Sequence, residues 1–588
     1  MNNKLKGIIA LTLLISLTTV INENAKAELI QDQPQQNEYY TVIGEDGHVE
    51  FIKYEDEEIG TLSSNDYVVD GEIYDTYEEA QEALSQKPKV FSRSNSQDEG
   101  IVAVANTANI KVGVAKIKGY VTYKEYDGTG KGRAGYTHGS SASDAAYVAT
   151  LDSGKTIRVK QAGTFMDIPS ASVEVTEYNS KTSKVSYYMG SNGIFRHYYY
   201  YGTNQNLAST QVGYTPSYLK DGVKYFSYDG HYFYTDYATM INDYKAGAFV
   251  NTHAVNASSP YYNYYQYLSF RSSTNFIASD IDAFIEKAIS QYSSVDTRSK
   301  LRHQGQSLLN NQGDQGVNAS LMLGVAINES AWGMSHYAQD RNNLFGIGAV
   351  DSNPDAAKRF NTVEECFNYF SKNMISNGYL DAADWRYRGP HLGDKASGVN
   401  VKYASDPYWG EKAASFSYAL NADNGDKDFN KYQLGIANSG DVKFYRENTL
   451  TKLLFSSGAS DNTNDKVYHF PVTILDTETN YKILSDTILS EDRSKLQATG
   501  VFKLSKDYVY VKKSDITLVY QTDFKPGDVN GDGKVTSLDY IQIKNHIMKT
   551  KVLSGATLIR ADVNKDGKVT SLDYIKIKNH IMGTNKLF

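Results

Sequence analysis

The stretch "NASLMLGVAINESAWGMS", residues 318–335, combines a continuous apolar segment with a single carboxylate, Glu329. Apolar residues occupy almost every position from Leu321 to Ile327, which is typical of a helix that is buried on all sides. Asn318 is suited to cap the start of this helix, and Gly333 is suited to end it. The stretch therefore predicts an apolar helix with Glu329 near its C-terminal end.

Glu329 has two interpretations on this pattern alone. A glutamate at a helix end is commonly a solvated charge without a chemical role. Alternatively, apolar surroundings disfavour the charged carboxylate, raise its pKa and keep it protonated, which a hydrolytic acid needs at neutral pH.

The block around this helix, residues 270–455, shows helical spacing of apolar residues and contains all three tryptophans of the chain. Tryptophan is costly on a surface unless it meets a ligand, so Trp332, Trp385 and Trp409 favour a sugar-binding cleft. The alternative is a core packed around tryptophan. The one cysteine, Cys366, lies at helical spacing in the same block, and we expect it to pack in the core.

Composition indicates a folded, multidomain chain. Its 588 residues are 40% hydrophobic and 22% charged, which are ordinary values for globular domains. The net charge is −8 and no long Lys/Arg cluster occurs, so we expect no nucleic-acid partner. The 48 tyrosines either cover sheets or, as the β-rich region at 101–269 suggests, stack on cell-wall sugars.

Composition shifts along the chain predict a multidomain α+β protein. An α-rich block is flanked by β-rich segments with Asp-Gly and Asn-Gly turns. The predicted segments are a signal peptide (1–27), an acidic, tyrosine-rich segment with a linker (28–100), a β-rich region (101–269), the helical domain (270–455), a small β domain (460–522) and a repeat module (526–588).

The first 27 residues have the pattern of a secretory signal. "MNNKLK" is basic, "GIIALTLLISLTTVI" is apolar, and "AKA" at 25–27 fits a cleavage site. The apolar run is short for a transmembrane helix. We therefore expect a secreted protein of the cell wall or cell surface, without membrane attachment after cleavage.

The segment at 527–550 recurs at 561–584, with 20 of 24 positions identical. Each copy has the oxygen-rich pattern of a calcium loop, and calcium is a hard cation that prefers many oxygen ligands. We therefore expect two calcium ions. The predicted ligands are Asp528, Asn530, Asp532, Lys534 (through its carbonyl), Thr536 and Asp539 in the first loop, and Asp562, Asn564, Asp566, Lys568, Thr570 and Asp573 in the second.

This duplicated loop-helix module closely resembles a type I dockerin over residues 526–588. The resemblance implies a cohesin-containing partner protein and a complex that depends on calcium. It implies contact through the starts of the two helices, at Ser537, Leu538, Ser571 and Leu572. Near-identity of the copies implies that either one can dock.

The stretches "NESAWGMS", "NNLFGIGAVDSNP" and "WRYRGPHLGDKASGVNVKYASDPYWGEKAA" resemble glycoside hydrolase family 73 over roughly 310–425. The resemblance implies a lysozyme-like α-rich fold that cleaves the GlcNAc-β-1,4-MurNAc bond of peptidoglycan glycan strands. It carries the general acid onto Glu329 and places Tyr403 beside the reacting sugar. It assigns the loop that shapes the cleft to Asn343, Leu344, Phe345 and Gly346. The β-rich flanks resemble SH3-like wall-binding modules less specifically.

The partner of Glu329 is the open question, because a two-carboxylate mechanism needs a second acid about 5 to 9.5 Å away. The remaining acids are Asp351 and Asp355 after the "NLFGI" loop, Glu364 and Glu365 on a predicted solvated helix, and Asp406, which is also a candidate substrate contact or turn cap. We expect Glu329 to act largely alone, with Tyr403 positioning substrate or water. The substrate's own 2-acetamido group would assist at the anomeric carbon.

These observations predict a secreted endo-β-N-acetylglucosaminidase tethered to a cohesin partner. A muramidase or lytic transglycosylase on the same fold is an alternative, since both also use one glutamate. A non-catalytic cell-wall-binding surface protein is an alternative of another class. A dockerin also occurs with plant-polysaccharide enzymes, but the stretches around Glu329 resemble a wall hydrolase instead.

Overall fold

The computed structural model describes most of the chain from residue 110 onward. The described residues are 39–43, 49–53, 67–69, 72–74, 107, 110–128, 132–202, 204–216, 218–291, 298–348, 357–425, 427–458, 466–519, 527–530, 535–553, 557, 560–564 and 568–587. The predicted signal peptide and most of the segment 28–100 lie outside them. Within that segment, β1 (Tyr39–Ile43) pairs with β2 (Val49–Lys53), and β3 (Tyr67–Val69) pairs with β4 (Glu72–Tyr74).

Seven antiparallel strands between residues 113 and 177 form the first large sheet. They are β5 (Gly113–Ile117), β6 (Tyr120–Glu125), β7 (Ala134–His138), β8 (Asp144–Leu151), β9 (Thr156–Gln161), β10 (Thr164–Pro169) and β11 (Val173–Glu177). Their order is β11-β5-β8-β9-β10-β6-β7, so β7 is an edge strand. Side chains alternate along β6: Val121 and Tyr123 are buried, whereas Tyr120 and Lys124 are exposed. The β6–β7 hairpin therefore has one open face.

A smaller sheet follows and is packed largely with tyrosine. It consists of β12 (Tyr187–Ser191), β13 (Ile194–Tyr201) and β14 (Asn206–Tyr214), and α1 (Tyr237–Ala246) comes next in the chain. The rings of Tyr187 and Tyr198 stack 4.8 Å apart, and Tyr199 and Tyr228 are fully buried. Many tyrosines of this part of 101–269 are therefore core residues, and their number alone is not a sign of sugar binding.

Helices between residues 264 and 423 form the α-rich domain. They are α2 (Tyr264–Tyr267), α3 (Ala278–Ile289), α4 (Gly305–Gln315), α5 (Ala319–Ser330), α6 (His336–Arg341), α7 (Val363–Tyr369), a π-helical segment (Phe370–Tyr379), α8 (Asn400–Tyr403) and α9 (Trp409–Asp423). The apolar stretch forms α5, and 11 of its 12 residues are buried. A Cβ atom on Gly324 would lie 2.3 Å from the Ala413 carbonyl oxygen, so glycine lets α5 and α9 approach closely. This approach brings the end of α5 next to the start of α9.

A second seven-stranded sheet begins earlier than the sequence predicted. Its strands are β15 (Gln433–Ala437), β16 (Lys443–Tyr445), β17 (Leu453–Ser456), β18 (Pro471–Thr477), β19 (Tyr481–Leu484), β20 (Tyr508–Val511) and β21 (Ile516–Val519). The β15 strand lies between β18 and β21. Residues 433–456, which the sequence placed in the helical domain, therefore complete the sheet of the 460–522 segment. Their strands are too short to show a clear alternation of polar and apolar residues.

The fold class predicted from the sequence is confirmed in its outline: a helical domain, β-rich flanks and a C-terminal module with helices α10 (Ser537–Ile547) and α11 (Ser571–Ile581). In that module the rings of Tyr540 and Tyr574 stack at 4.0 Å above a core that includes Val529, Ile543 and Ile577. An SH3-like architecture for the β-rich flanks stays a prediction.

Among the residues that the structure describes, every helix is too short or too polar to cross a bilayer.

Candidate active site

Glu329 lies in the last turn of α5, where the chain turns sharply. The side chain of Asn318 caps the start of this helix by accepting hydrogen bonds from the backbone N–H groups of Ser320 and Leu321. After the helix, Ala331 and Trp332 adopt φ values of 48° and 59°, a left-handed conformation that residues with a side chain rarely adopt. Such strain is characteristic of functional positions.

The Glu329 carboxyl group is 5% exposed and is held by one indole. Trp409, the first residue of α9, donates its Nε1 hydrogen to Oε1 of Glu329 at 2.5 Å. Burial raises the pKa of Glu329 to about 8, although the hydrogen bonds from Trp409 and Asn328 oppose this shift. Glu329 is therefore mostly protonated at neutral pH and is able to donate a proton.

Tyr403 lies beside this pair at the end of α8. Its ring centroid is 4.4 Å from that of Trp409, and its hydroxyl is buried without a hydrogen-bond partner among the described residues. Burial is the main cause that raises the pKa of Tyr403 well above its ordinary value, and the charge of Glu329 adds to this shift. The buried hydroxyl is thus neutral and is available to hold a substrate atom or a water molecule.

The charge of Asp406 acts on Glu329, but the Asp406 carboxylate is already engaged. Its Oδ2 forms a buried ion pair with Lys412 Nζ at 2.6 Å, and its Oδ1 accepts from the Tyr408 backbone N–H at 2.9 Å. Its negative charge helps to raise the pKa of Glu329. The carboxylate therefore holds the turn before α9 and raises the pKa of Glu329. Its predicted contact with the substrate stays a prediction.

The three tryptophans have different environments. Trp332 is buried between Phe284 and Phe416, with ring centroids 5.6 Å from each, so the structure places it in the core and corrects the expectation of a substrate contact. Trp409 is also buried and contacts Glu329. Trp385 is partly exposed, with Lys402 Nζ 5.8 Å from its ring, and it alone of the three keeps the character of a cleft residue.

The predicted cleft loop is built around Asn343. Its Nδ2 donates to the carbonyls of Ile347 and Lys358, and its Oδ1 accepts from the Ile347 backbone N–H. The ring of Phe345 stacks on Phe370 at 3.7 Å in the core. Gly346 is buried and adopts a φ of 63° that favours glycine. Asn343 and Phe345 therefore shape the loop from inside, and a contact of either residue with the sugar stays a prediction.

The other acids considered from the sequence have different settings. Glu364 and Glu365 are exposed on α7, as predicted, and Glu365 accepts from the Asn361 backbone. Asp351 and Asp355 lie outside the described residues. Cys366 is buried, accepts from the Leu344 backbone N–H, and burial raises its pKa to about 12, so it is a packing residue, as expected.

Two residues of the site were not identified from the sequence. Asn328 precedes Glu329 directly and contributes a side-chain hydrogen bond to it. Lys395 is buried, and its ammonium donates to the carbonyls of Asn400 and Ala404 on either side of Tyr403. Burial lowers the pKa of Lys395 to about 7. Adjacency to Glu329 was a usable signal for Asn328, whereas no local pattern marked Lys395.

A small cavity elsewhere is too small for a sugar. It has a volume of about 20 Å³, which is room for about one water molecule. Of its lining carboxylates, Asp229 pairs with Lys160 at 2.5 Å and Glu411 with His197 at 2.9 Å, whereas Asp394 accepts from the Tyr267 hydroxyl at 2.8 Å. The volume and these contacts indicate a packing space.

In each predicted calcium loop of the C-terminal module, a buried aspartate accepts hydrogen bonds from described loop residues. In the first, Asp539 Oδ1 accepts from the Asn530 N–H at 2.9 Å, and Oδ2 accepts from the Thr536 N–H at 2.8 Å. Asp573 makes the same contacts with Asn564 and Thr570 in the second copy. Of the other predicted ligands, Asp528 is buried, Asp562 and Lys568 are described, and Asp532, Lys534 and Asp566 lie outside the described residues. Buried carboxylates in such a loop fit a hard divalent cation.

Comparison with known proteins assigns two of these regions. Residues 305–422 match the family Glucosaminidase, described as mannosyl-glycoprotein endo-beta-N-acetylglucosaminidase, and residues 526–582 match the Dockerin type I domain. The chain carries a glucosaminidase domain and a type I dockerin domain. The residues matched to the glucosaminidase family include Glu329, Tyr403 and Trp409.

Curated relatives share part of this chain. Two proteins of Streptococcus pneumoniae, from serotype 4 strain TIGR4 and from strain R6, are provisionally named endo-beta-N-acetylglucosaminidases. Each is 33% identical over 221 residues, or 36% of this chain. The matched region covers 32% and 30% of these relatives, so the chain spans about a third of their length.

Solved structures of Staphylococcus aureus Autolysin E show a weaker similarity. A catalytic mutant in complex with the disaccharide NAG-NAM is 18% identical, with a TM-score of 0.22, over 27% of this chain and 73% of that one. A complex with a muropeptide is 19% identical, also with a TM-score of 0.22, over 27% and 73% of the two chains.

Proposed function

We propose that the chain is a secreted endo-β-N-acetylglucosaminidase that cleaves the GlcNAc-β-1,4-MurNAc bond of peptidoglycan. The observation that carries this proposal is the protonated, buried Glu329, held by Trp409 beside the Tyr403 hydroxyl, which has no partner in the described part of the chain. A carboxyl group with a pKa of about 8 is suited to general-acid catalysis at neutral pH. The glucosaminidase family match supports the same class of reaction.

In the proposed reaction, Glu329 donates its proton to the glycosidic oxygen while the bond from that oxygen to the anomeric carbon breaks. The 2-acetamido oxygen of the substrate stabilises the positive charge at the anomeric carbon. Water then attacks this carbon and returns a proton to the Glu329 carboxylate, so the enzyme is regenerated. Tyr403 holds the substrate or this water. Asp406 stays paired with Lys412 throughout.

The dockerin domain attaches the enzyme to a cohesin-containing partner outside the cell or on its surface. When calcium is bound, it supplies the charge that holds each loop closed around its oxygen ligands. Ser537, Leu538, Ser571 and Leu572 are exposed at the starts of α10 and α11, where a partner can reach them. The duplicated contacts of Asp539 and Asp573 support two ions and two equivalent docking faces.

The decisive test compares Glu329→Gln with wild type on purified peptidoglycan. We expect Glu329→Gln to lose about 10²–10⁴-fold in hydrolysis rate because the proton donor is gone. Glu365→Gln is the matched control, since Glu365 is an exposed glutamate of the same domain. Digestion by wild type should release new reducing ends on GlcNAc. Reducing ends on MurNAc, or their 1,6-anhydro form, would identify a muramidase or lytic transglycosylase, and full activity of Glu329→Gln would refute the assignment.

A further inference from the structure

Two tyrosines form an open aromatic pair on the β6–β7 hairpin. The rings of Tyr120 and Tyr136 are stacked with centroids 5.9 Å apart and planes 22° apart. Tyr120 is 45% exposed, whereas Tyr123 on the other face of the same strand is 6% exposed. This pair differs from the buried tyrosines of the next sheet.

The hairpin is fastened to the segment that carries Tyr403. The His138 backbone N–H at the end of β7 donates to the Ser405 carbonyl at 3.0 Å. Arg133 Nη2 just before β7 donates to the Ala396 carbonyl at 2.7 Å. Because Ser405 is two residues from Tyr403, at most about 7 Å along an extended chain, the open face of the hairpin lies close to the candidate active site.

Lys395 connects the aromatic pair with the active-site segment directly. Its Nζ lies 4.8 Å from the centroid of the Tyr136 ring and donates to the Ala404 carbonyl, next to Tyr403. The Tyr379 ring lies 5.7 Å from that of Tyr403, and the Tyr379 phenol is close enough to Tyr136 to affect its pKa. Aromatic groups therefore extend from Trp409 through Tyr403 and Tyr379 to the hairpin.

Stacked rings with polar groups at their rim suit a sugar polymer. The C–H face of a pyranose ring packs on an aromatic face, and the phenol groups at the rim are suited to hydrogen-bond with hydroxyls. His138 is partly exposed, with its ring 6.4 Å from that of Tyr120. A role in packing alone would leave Tyr120 covered, which it is not.

We propose that Tyr120 and Tyr136 form an aromatic platform for sugar rings beyond the cleaved bond. The sheet at 113–177 is then one wall of the glycan-binding cleft and extends the substrate site, instead of being a separate wall anchor. This inference rests on the proposed function, because the occupant is the same glycan strand that Glu329 cleaves.

The test measures kcat/KM on long soluble glycan strands and on the shortest fragment that is cleaved. For Tyr120→Ala we expect the ratio of the long to the short value to fall about 2- to 15-fold, as the loss of one aromatic contact implies. Tyr120→Phe keeps the ring and should preserve the ratio. Tyr218→Ala is the matched control, because Tyr218 is 42% exposed but lies outside the hairpin.

An unchanged ratio in Tyr120→Ala, or an equal loss on both substrates, would overturn the platform. Should Tyr120→Ala lower the unfolding temperature, Tyr120→Lys keeps a long side chain without a ring and serves the same comparison. Binding of long strands to Glu329→Gln, with and without Tyr120→Ala, separates the two proposals. If Tyr120 matters for binding but wild type cleaves nothing, the hydrolase assignment fails and the platform stands.

Discussion

The Glu329 site and the dockerin calcium loops are both built from buried oxygen groups, but over very different lengths of chain. Asp539 closes its loop on the backbone of Asn530, nine residues away. Glu329 receives its hydrogen bond from Trp409, 80 residues away, because α5 and α9 pack together. The loop needs only its local sequence and a cation, whereas the acid needs the packing of the whole helical domain. Removal of calcium should therefore affect the dockerin loops, whereas substitutions in the helical core should affect the Glu329 site.

Calcium removal should have the largest effect, and it should be confined to the dockerin domain. With EDTA we expect cohesin binding to fall by at least about 100-fold, because loops that close on carboxylates lose the cation that neutralises them. Isothermal titration with calcium should restore binding with two ions per chain. Peptidoglycan hydrolysis should continue in EDTA. If EDTA did not change cohesin binding, the prediction that calcium holds these loops in their binding conformation would be wrong.

Breaking the buried ion pair next to the active site should have the next largest effect. Asp406→Asn deprives the buried Lys412 ammonium of its carboxylate, and we expect a loss of about 3–5 kcal/mol in the free energy of unfolding. Adding Lys412→Met should recover most of this loss, as urea unfolding can measure. An Asp406→Asn protein that is fully stable but inactive would instead identify Asp406 as the second catalytic acid.

Removing the long-range hydrogen bond should lower the rate without unfolding the domain. Trp409→Phe keeps an aromatic ring but loses the N–H that holds Glu329, so we expect kcat to fall about 10- to 100-fold. The hydrogen bond also lowers the pKa of Glu329, so its loss should move the alkaline limit of activity to higher pH. Trp332→Phe, a core change, should lower stability and leave this limit in place. If kcat depended on pH in the same way in Trp409→Phe and in wild type, the hydrogen bond from Trp409 would not control the pKa of Glu329.

The smallest effect is a gain in stability on removing the acid. The pKa of Glu329 is about 8 in the folded chain against an ordinary value of 4.5, so ionisation opposes folding, and stability falls as pH rises between these values. Glu329→Gln should therefore be about 1–3 kcal/mol more stable than wild type at pH 7 and equal to it near pH 4. If the difference in the free energy of unfolding did not depend on pH, burial would not be the cause of the raised pKa of Glu329.

The sequence predicted α5 well because its signal is continuous: a capping asparagine, an apolar run and a stop. The sequence placed the C-terminal boundary of the helical domain too late, because it did not reveal β15, β16 and β17. These strands have three to five residues each and gain their stability from partners that are distant in the chain. The sequence also did not determine which tryptophan side chains are buried and which are exposed. Trp332 and Trp409 belong to the same residue type and block, yet one fills the core and the other holds the acid.

The sequence by itself determined the local units: the apolar helix that carries Glu329 in its last turn, the duplicated dockerin module and its helices α10 and α11, because each helix is encoded within a dozen neighbouring residues. The tertiary structure decided how the chemistry is arranged. Only the packing of α5 on α9 buries Glu329 and pairs it with Trp409, and only the docking of β7 on Ser405 brings Tyr120 and Tyr136 near Tyr403. These contacts join residues that are far apart in the chain, and no local pattern records them.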